Sequence, residues 1–143
     1  MITCTRRLGF DAGHRVTRHE SKCRNVHGHR YEVEITVKGD VDHAGRVVDF
    51  GVVKQVVGGW IDRDLDHGYI AASWDMIADG VAAEGLKVYR MPEHMGEPTA
   101  ENLAALIASE GQRLLDGVKA GLTVSAVRIY ETPSCWADWV ATE

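Results

Sequence analysis

The sequence contains few cysteines, and they are poorly placed to form pairs. Cys4, Cys23 and Cys135 are an odd number of thiols and lie far apart in the chain. A disulfide framework needs an even set at regular spacings, and the chain has no Cys-x-x-Cys motif. These absences argue against a disulfide-stabilised fold.

Long apolar runs are also missing. No stretch approaches the ~20 residues needed to span a bilayer, and the first seven residues, MITCTRR, lack the apolar core of a signal peptide. We therefore expect a cytoplasmic protein. The chain has 143 residues, of which 45% are hydrophobic and 26% charged. These values are typical of a soluble protein and predict one domain spanning 1–143.

An overall positive charge is absent as well. The net charge of -5 argues against a dedicated nucleic-acid binder. Positive charge is nevertheless concentrated in one short stretch in which Glu20 is the only acid. Such a patch in an acidic protein suits a small anionic ligand better than a long polyanion, although a solvated loop would show the same pattern. The basic residues are Arg15, Arg18, Lys22, Arg24 and Arg30.

Alternating apolar and polar residues predict two strands in the first third of the chain. The first ends at His14, after Leu8, Phe10 and Ala12 on the same face. The second includes Tyr31 and continues to about residue 38, and its apolar face extends backward to include two further histidines.

Helical periodicity predicts one helix after Asp49 and a second from Thr99 to a stop at Asp116-Gly117. Two strands at 122–130 and 136–140 close the chain. Residues 70–98 are the least regular segment, compatible with a short helix and a short strand. The order β-β-α-insert-α-β-β favours an antiparallel α+β domain.

Three histidines form a candidate metal site. His27 and His29 are two residues apart, so on a strand they point to the same face, about 6.6 Å apart at a rise of ~3.3 Å per residue. His14 occupies the matching face of the first strand. If the strands are neighbours, all three imidazoles can converge. Three nitrogen ligands favour zinc with an open fourth position, which is the pattern of a catalytic site.

Cys23 lies four residues before His27, between Lys22 and Arg24. These positive charges are expected to favour the thiolate, which would make Cys23 a base or a nucleophile. Two alternatives remain open, namely a free loop cysteine and a fourth zinc ligand that would make the metal structural.

Asp66 and His67 offer an acid and a base side by side, although adjacent residues do not generally face each other. His67 could polarise Cys23, with Asp66 orienting it; a surface turn is the alternative. Glu131 follows an apolar strand and could bind a guanidine-like N–C–N edge through two hydrogen bonds.

Together these motifs resemble the 6-pyruvoyl-tetrahydropterin synthase / 6-carboxy-tetrahydropterin synthase family over essentially the whole chain. The motifs are Phe10-Asp11-Ala12-Gly13-His14, Cys23-x3-His27-Gly28-His29, Val48-Asp49-Phe50, Leu65-Asp66-His67, Pro98-Thr99-Ala100-Glu101-Asn102-Leu103-Ala104 and Glu131-Thr132.

The resemblance implies an α+β tunnelling fold (T-fold), a four-stranded antiparallel sheet with two helices packed on one face. It also implies a homo-oligomer, a trimer or a hexamer, with active sites at subunit interfaces. The implied substrate is the small molecule 7,8-dihydroneopterin triphosphate, and neither a nucleic acid nor a membrane is an expected partner. The three residues between Cys23 and His27 resemble the bacterial 6-carboxy-5,6,7,8-tetrahydropterin synthases of queuosine biosynthesis. A pyruvoyl-type synthase and a non-catalytic protein with a structural zinc are the alternatives.

The resemblance also implies a role for each site residue. The base is Cys23, supported by Asp66 and His67, and Glu131 anchors the pterin ring. Thr99 is expected among the substrate contacts, and charge alone points to Lys22 or Arg24 as the triphosphate contact. The implied Zn²⁺ ligands are His14, His27 and His29.

Overall fold

Strands β1 (Thr3–His14) and β2 (His27–Lys38) form the centre of the fold. They pair antiparallel along their whole length, so that Phe10 lies opposite Tyr31. Both side chains are fully buried, and their rings stack with centroids 4.9 Å apart. The predicted alternation therefore places one face of this hairpin in the core. The computed structural model describes residues 1–142.

The remaining elements follow β2 in the chain. A first helical segment consists of α1 (Phe50–Val53), a π-helical turn at Lys54–Gly58 and α2 (Gly59–Asp64). Asp49 caps its start by accepting a hydrogen bond from the Gly51 N–H at 2.7 Å, as its position predicts. The other bounds are β3 (Gly68–Ala71), α3 (Met76–Ala83), β4 (Val88–Arg90), α4 (Ala100–Asp116), β5 (Thr123–Thr132) and β6 (Cys135–Val140).

The sheet of residues 1–142 has six strands in the order β4-β3-β1-β2-β5-β6. The antiparallel part, β1-β2-β5-β6, agrees with the predicted four strands. The prediction of a four-stranded, purely antiparallel sheet was wrong, because β3 pairs parallel with β1 and β4 pairs parallel with β3. Helix α3 connects β3 to β4, as a parallel pair requires.

Two helical elements pack on one face of the sheet, as the resemblance implies, but a third helix lies on the opposite face. Segment α1–α2 and helix α4 cover the face of the sheet that carries Phe10 and Ile70. Helix α3 covers the opposite face at the β3 edge, where Tyr69 and Ala71 pack against Ala78. Strand β3 is therefore buried on both sides.

Helix α4 crosses the sheet at close range. Its cap, Thr99, accepts a hydrogen bond from the Asn102 N–H at 3.2 Å, and its apolar stripe is buried as predicted. A Cβ at Gly111 would lie 2.8 Å from Cδ1 of Ile35, so the absent side chain permits the close approach. No helix in residues 1–142 combines the length and the apolar character needed to cross a membrane.

Candidate functional site

The pairing of β1 with β2 brings the three histidines together. His14 lies directly opposite His27, and Ala12 lies opposite His29. All three imidazoles consequently project from one face of the sheet, and their ligand atoms lie within 4.8 Å of one another. His14 is 1% exposed, whereas the other two are half-buried. The convergence predicted from strand parity is present.

Hydrogen bonds to backbone carbonyls orient two of these imidazoles. Nδ1 of His14 donates to the carbonyl of Pro98 at 2.8 Å, and Nδ1 of His27 donates to the carbonyl of Asn25 at 2.7 Å. Because a carbonyl oxygen can only accept, Nδ1 carries the proton in both rings and Nε2 presents a lone pair. Metal-binding histidines are typically held in this way.

The resulting arrangement fits a divalent metal ion. The Nε2 atoms of His14 and His27 are 3.1 Å apart, close to the ~3.3 Å between two ligands of a tetrahedral zinc with bonds of about 2.0–2.1 Å. Nε2 of His29 is buried and has no hydrogen-bond partner within residues 1–142. Facing lone pairs and a buried, unpartnered nitrogen are unfavourable unless a cation lies between them.

The protonation state of His29 also favours metal binding. Burial lowers the pKa of this imidazole, and His14 and His27 lower it further against the opposing effect of Glu131. A neutral imidazole is the form that ligates a metal. The ligand atoms that lie within 4.8 Å of one another do not include the Cys23 thiol, which favours three ligands over four.

Glu131 lies near the end of β5 against two of these histidines. Its Oε1 is 3.3 Å from Nε2 of both His14 and His29, although the approach to His29 lacks hydrogen-bond geometry. Because Nε2 of His14 presents a lone pair, it cannot donate a hydrogen bond to this carboxylate oxygen. Their close approach is therefore a further contact that a cation between them would make favourable.

Cys23 lies beside the histidine cluster. Together with His14, Thr99 and Glu131 it lines a cavity of about 250 Å³. This volume is below the roughly 300–1,000 Å³ of most small-molecule sites. One chain thus brings the three imidazoles, the thiol and the carboxylate together, but encloses too little space for a large substrate.

Asp66 and His67 pair with each other but not with Cys23. Nδ1 of His67 lies 2.8 Å from Oδ2 of Asp66, and Oδ1 of Asp66 accepts a hydrogen bond from the Asp11 N–H. The pairing of adjacent residues depends on the left-handed backbone of His67, with φ of 59°. The His67 side chain is 76% exposed and lines a different cavity, beside Asp11 and Gly28.

Residues 3–141 match the family model described as 6-pyruvoyl tetrahydropterin synthase. The chain belongs to this family. It is 40% identical over 142 residues to a Rickettsia bellii protein named 6-carboxy-5,6,7,8-tetrahydropterin synthase, covering 96% of this chain and 99% of that protein. A Rickettsia felis protein of the same name is 41% identical over 142 residues, with the same coverage of both chains.

Solved structures show that this member of the 6-pyruvoyl tetrahydropterin synthase family shares its fold with known proteins. An uncharacterized protein from Wolinella succinogenes superposes with a TM-score of 0.81 at 20% identity, covering 99% of this chain and 98% of that one. The 6-pyruvoyl tetrahydropterin synthase of Caenorhabditis elegans gives a TM-score of 0.70 at 21% identity, covering 99% and 96%.

Only part of the basic stretch of this family member remains available for a ligand. Arg15 and Arg30 form ion pairs with acidic residues, and Arg18 stacks on an aromatic ring. Lys22 and Arg24 are exposed on either side of Cys23, with no carboxylate within 4.0 Å among the described residues.

Three residues of the site were not predicted from the sequence. His19 and Glu101 line the Cys23 cavity, and the Tyr31 hydroxyl lies 3.2 Å from Nδ1 of His14. Burial raises the pKa of Tyr31 far above its ordinary value, so the hydroxyl stays protonated. Strand parity could have found Tyr31, which continues the face of His27 and His29. His19 lies in an irregular loop that offers no such signal.

Proposed function

We propose that the chain is a 6-carboxy-5,6,7,8-tetrahydropterin synthase. It would convert 7,8-dihydroneopterin triphosphate and one water molecule into 6-carboxytetrahydropterin, acetaldehyde and triphosphate, for queuosine biosynthesis in the cytoplasm. The observation that carries the proposal is the convergence of three imidazoles beside a thiol and a carboxylate. The full-length family match and the names of relatives at 40–41% identity support it.

Zinc is the proposed metal, held by His14, His27 and His29. When bound, it would supply Lewis acidity at the hydroxyl oxygens of the substrate side chain. The protein's own contribution is to orient His14 and His27 through the Pro98 and Asn25 carbonyls, so that their Nε2 atoms face each other at 3.1 Å.

The remaining side chains have separate roles in this proposal. Cys23, as the thiolate, removes a proton from the substrate side chain. Glu131 accepts two hydrogen bonds from the N–C–N edge of the pterin ring. Lys22 and Arg24, exposed on either side of Cys23, bind the triphosphate, and Thr99 lines the Cys23 cavity.

Asp66 and His67 are proposed to act across a subunit contact. Within one chain His67 is exposed and does not line the Cys23 cavity, and that cavity is small. A homo-oligomer, either a trimer or a hexamer, would supply the pair from a second copy and enclose the substrate. This agrees with active sites at subunit interfaces, as the resemblance implies.

Product analysis tests the proposal directly. The zinc-loaded protein is incubated with 7,8-dihydroneopterin triphosphate, and acetaldehyde and the pterin product are measured together. We expect acetaldehyde and 6-carboxytetrahydropterin in equal amounts. A pyruvoyl product without acetaldehyde would instead support the pyruvoyl-type synthase that the family description names. No pterin product at all would favour a protein with a structural metal.

A further inference from the structure

The loop that carries Cys23 is anchored by the segment 72–97, which we call the insert. At one end, Arg15 donates to both carboxylate oxygens of Asp75, with its shortest contact at 2.7 Å. Asp75 is buried and also accepts from the Tyr69 hydroxyl at 2.8 Å. Bidentate contacts of this kind fix orientation as well as distance.

A second anchor, at Glu97, is made of three hydrogen bonds. The Glu97 carboxylate accepts from the N–H groups of Thr17 and Arg18, both at 3.0 Å, and from the Thr17 hydroxyl. The same hydroxyl accepts from the indole N–H of Trp74 at 2.9 Å, and the Arg18 guanidinium stacks 4.3 Å from the centre of that indole. Two insert residues therefore hold two successive loop residues.

These anchors reach Cys23 through one intervening residue. Val16, between Arg15 and Thr17, donates its N–H to the carbonyl of Cys23 at 2.9 Å. Fixing the residues on both sides of Val16 thus fixes the backbone of Cys23.

Glu97 is itself held at its own backbone. Its carbonyl accepts from the Asn102 side chain at 2.9 Å. The residue that follows it, Pro98, supplies the carbonyl that orients His14. The adjacent residues Glu97 and Pro98 accordingly hold both the loop that carries Cys23 and the imidazole of His14.

We propose that Glu97 is a positioning residue for Cys23, acting through Thr17 and Val16. The proposal rests on the role of Cys23 as the base in the function proposed above. A base must lie about 2.6–3.2 Å from the proton it removes, and a loop between two strands does not hold that distance unless it is anchored. Misplacement by about 1 Å can reduce turnover by about 10²-fold.

Four variants of the zinc-loaded full chain test this role. Glu97→Ala removes all three acceptor contacts, and Thr17→Val removes only the hydroxyl, whereas Thr17→Ser keeps it. Glu93→Ala is the matched control, because Glu93 lies in the same insert, is exposed, and makes no side-chain hydrogen bond within residues 1–142. Amide exchange of residues 14–24, bound zinc, kcat and KM are measured for each.

We expect Glu97→Ala to accelerate exchange of the Val16 amide at least about tenfold and to lower kcat by about 10–100-fold. KM should stay within about threefold and the zinc content unchanged, because the three imidazoles project from strands β1 and β2, which Glu97 does not contact through its side chain. Thr17→Val should show the same changes in amide exchange and kcat, but smaller ones. Thr17→Ser, which keeps the hydroxyl, should behave like the wild type. Glu93→Ala should match the wild type.

Unchanged exchange in Glu97→Ala, or faster exchange with an unchanged kcat, would overturn the proposal. So would an equal loss in Glu93→Ala. If the wild-type chain forms no pterin product, the function proposed above fails, and the exchange rates alone then support or refute the anchoring of the Cys23 loop by Glu97.

Discussion

Replacement of Asp75 is expected to destabilise the fold strongly, although this residue lies outside the metal site. Its buried carboxylate accepts from Arg15, from the Tyr69 hydroxyl and from the Ile77 N–H at 3.0 Å, which caps α3. Asp75→Ala removes every one of these contacts. Asp75→Asn keeps an acceptor for the cap and for one further donor, but loses the negative charge.

The size of the loss follows from these contacts. Breaking a buried ion pair by removing one partner costs about 3–5 kcal/mol. The lower end applies here, because the Arg15 side chain is 22% exposed and regains some hydration. Loss of the helix cap adds about 1 kcal/mol. We therefore expect Asp75→Ala to lower the free energy of unfolding by about 4 kcal/mol, and Asp75→Asn by about 1–2 kcal/mol.

Denaturant unfolding at several pH values measures both effects. Burial raises the pKa of Asp75, but hydrogen bonds from Arg15 and Tyr69 outweigh burial and lower it below its ordinary value. The stability that the carboxylate contributes is therefore fully present above the unfolded pKa of about 3.9, and is lost as pH falls through the lower folded pKa. The difference in the free energy of unfolding between wild type and Asp75→Asn should accordingly become smaller below about pH 4.

The control for this measurement is Asp40→Asn, at an exposed aspartate, where the expected change is within about 0.5 kcal/mol. A loss below about 1 kcal/mol in Asp75→Ala would refute the reasoning. So would a gap between wild type and Asp75→Asn that stays constant down to pH 2.

Cys23→Ala should retain about one zinc per chain by elemental analysis while activity falls by about 10²–10⁴-fold; loss of zinc would instead identify Cys23 as a fourth ligand. Co-expression of inactive Cys23→Ala and inactive His67→Ala chains should restore about a quarter of the wild-type sites, because a site that takes one residue from each of two copies is intact in a quarter of random pairings. No recovery in the mixed assembly would argue that both residues act within one chain. Gly111→Ala should lower the unfolding free energy by about 1–2 kcal/mol through its clash with Ile35. Gly80→Ala, in open space on α3, should be neutral or stabilising by up to about 1 kcal/mol, and equal effects of the two changes would contradict the packing argument.

Strand parity alone was sufficient to predict that the three histidines share one face of the sheet. His14, His27 and His29 lie on strands with one buried face, where a period of two assigns every side chain. The helix starts predicted after Asp49 and at Thr99 were also correct, and the side chains of both residues accept a hydrogen bond from the first turn of the helix that follows.

The parallel half of the sheet could not be predicted in this way. Strand β3 has four residues, all buried, because α3 covers one side and the main core the other. A strand buried on both faces shows no alternation, and a short apolar run is equally compatible with a helix.

The direct pairing of Asp66 with His67 was equally hidden from the sequence. It depends on the left-handed backbone of His67. This conformation is uncommon for residues other than glycine and cannot be predicted from composition. The distance of His67 from the Cys23 cavity depends on the contact between β1 and the loop after α2. In this contact the His67 N–H donates to the Asp11 carbonyl at 2.7 Å. This contact between His67 and Asp11 joins segments far apart in the chain.

The most direct test of a catalytic three-histidine zinc site is a titration of the apo-protein with zinc while acetaldehyde release from 7,8-dihydroneopterin triphosphate is followed. Activity should be absent after chelation and rise linearly to a plateau at one zinc per chain. The His29→Ala chain should reach no plateau under the same conditions. Full acetaldehyde release by the metal-free wild type would contradict the account.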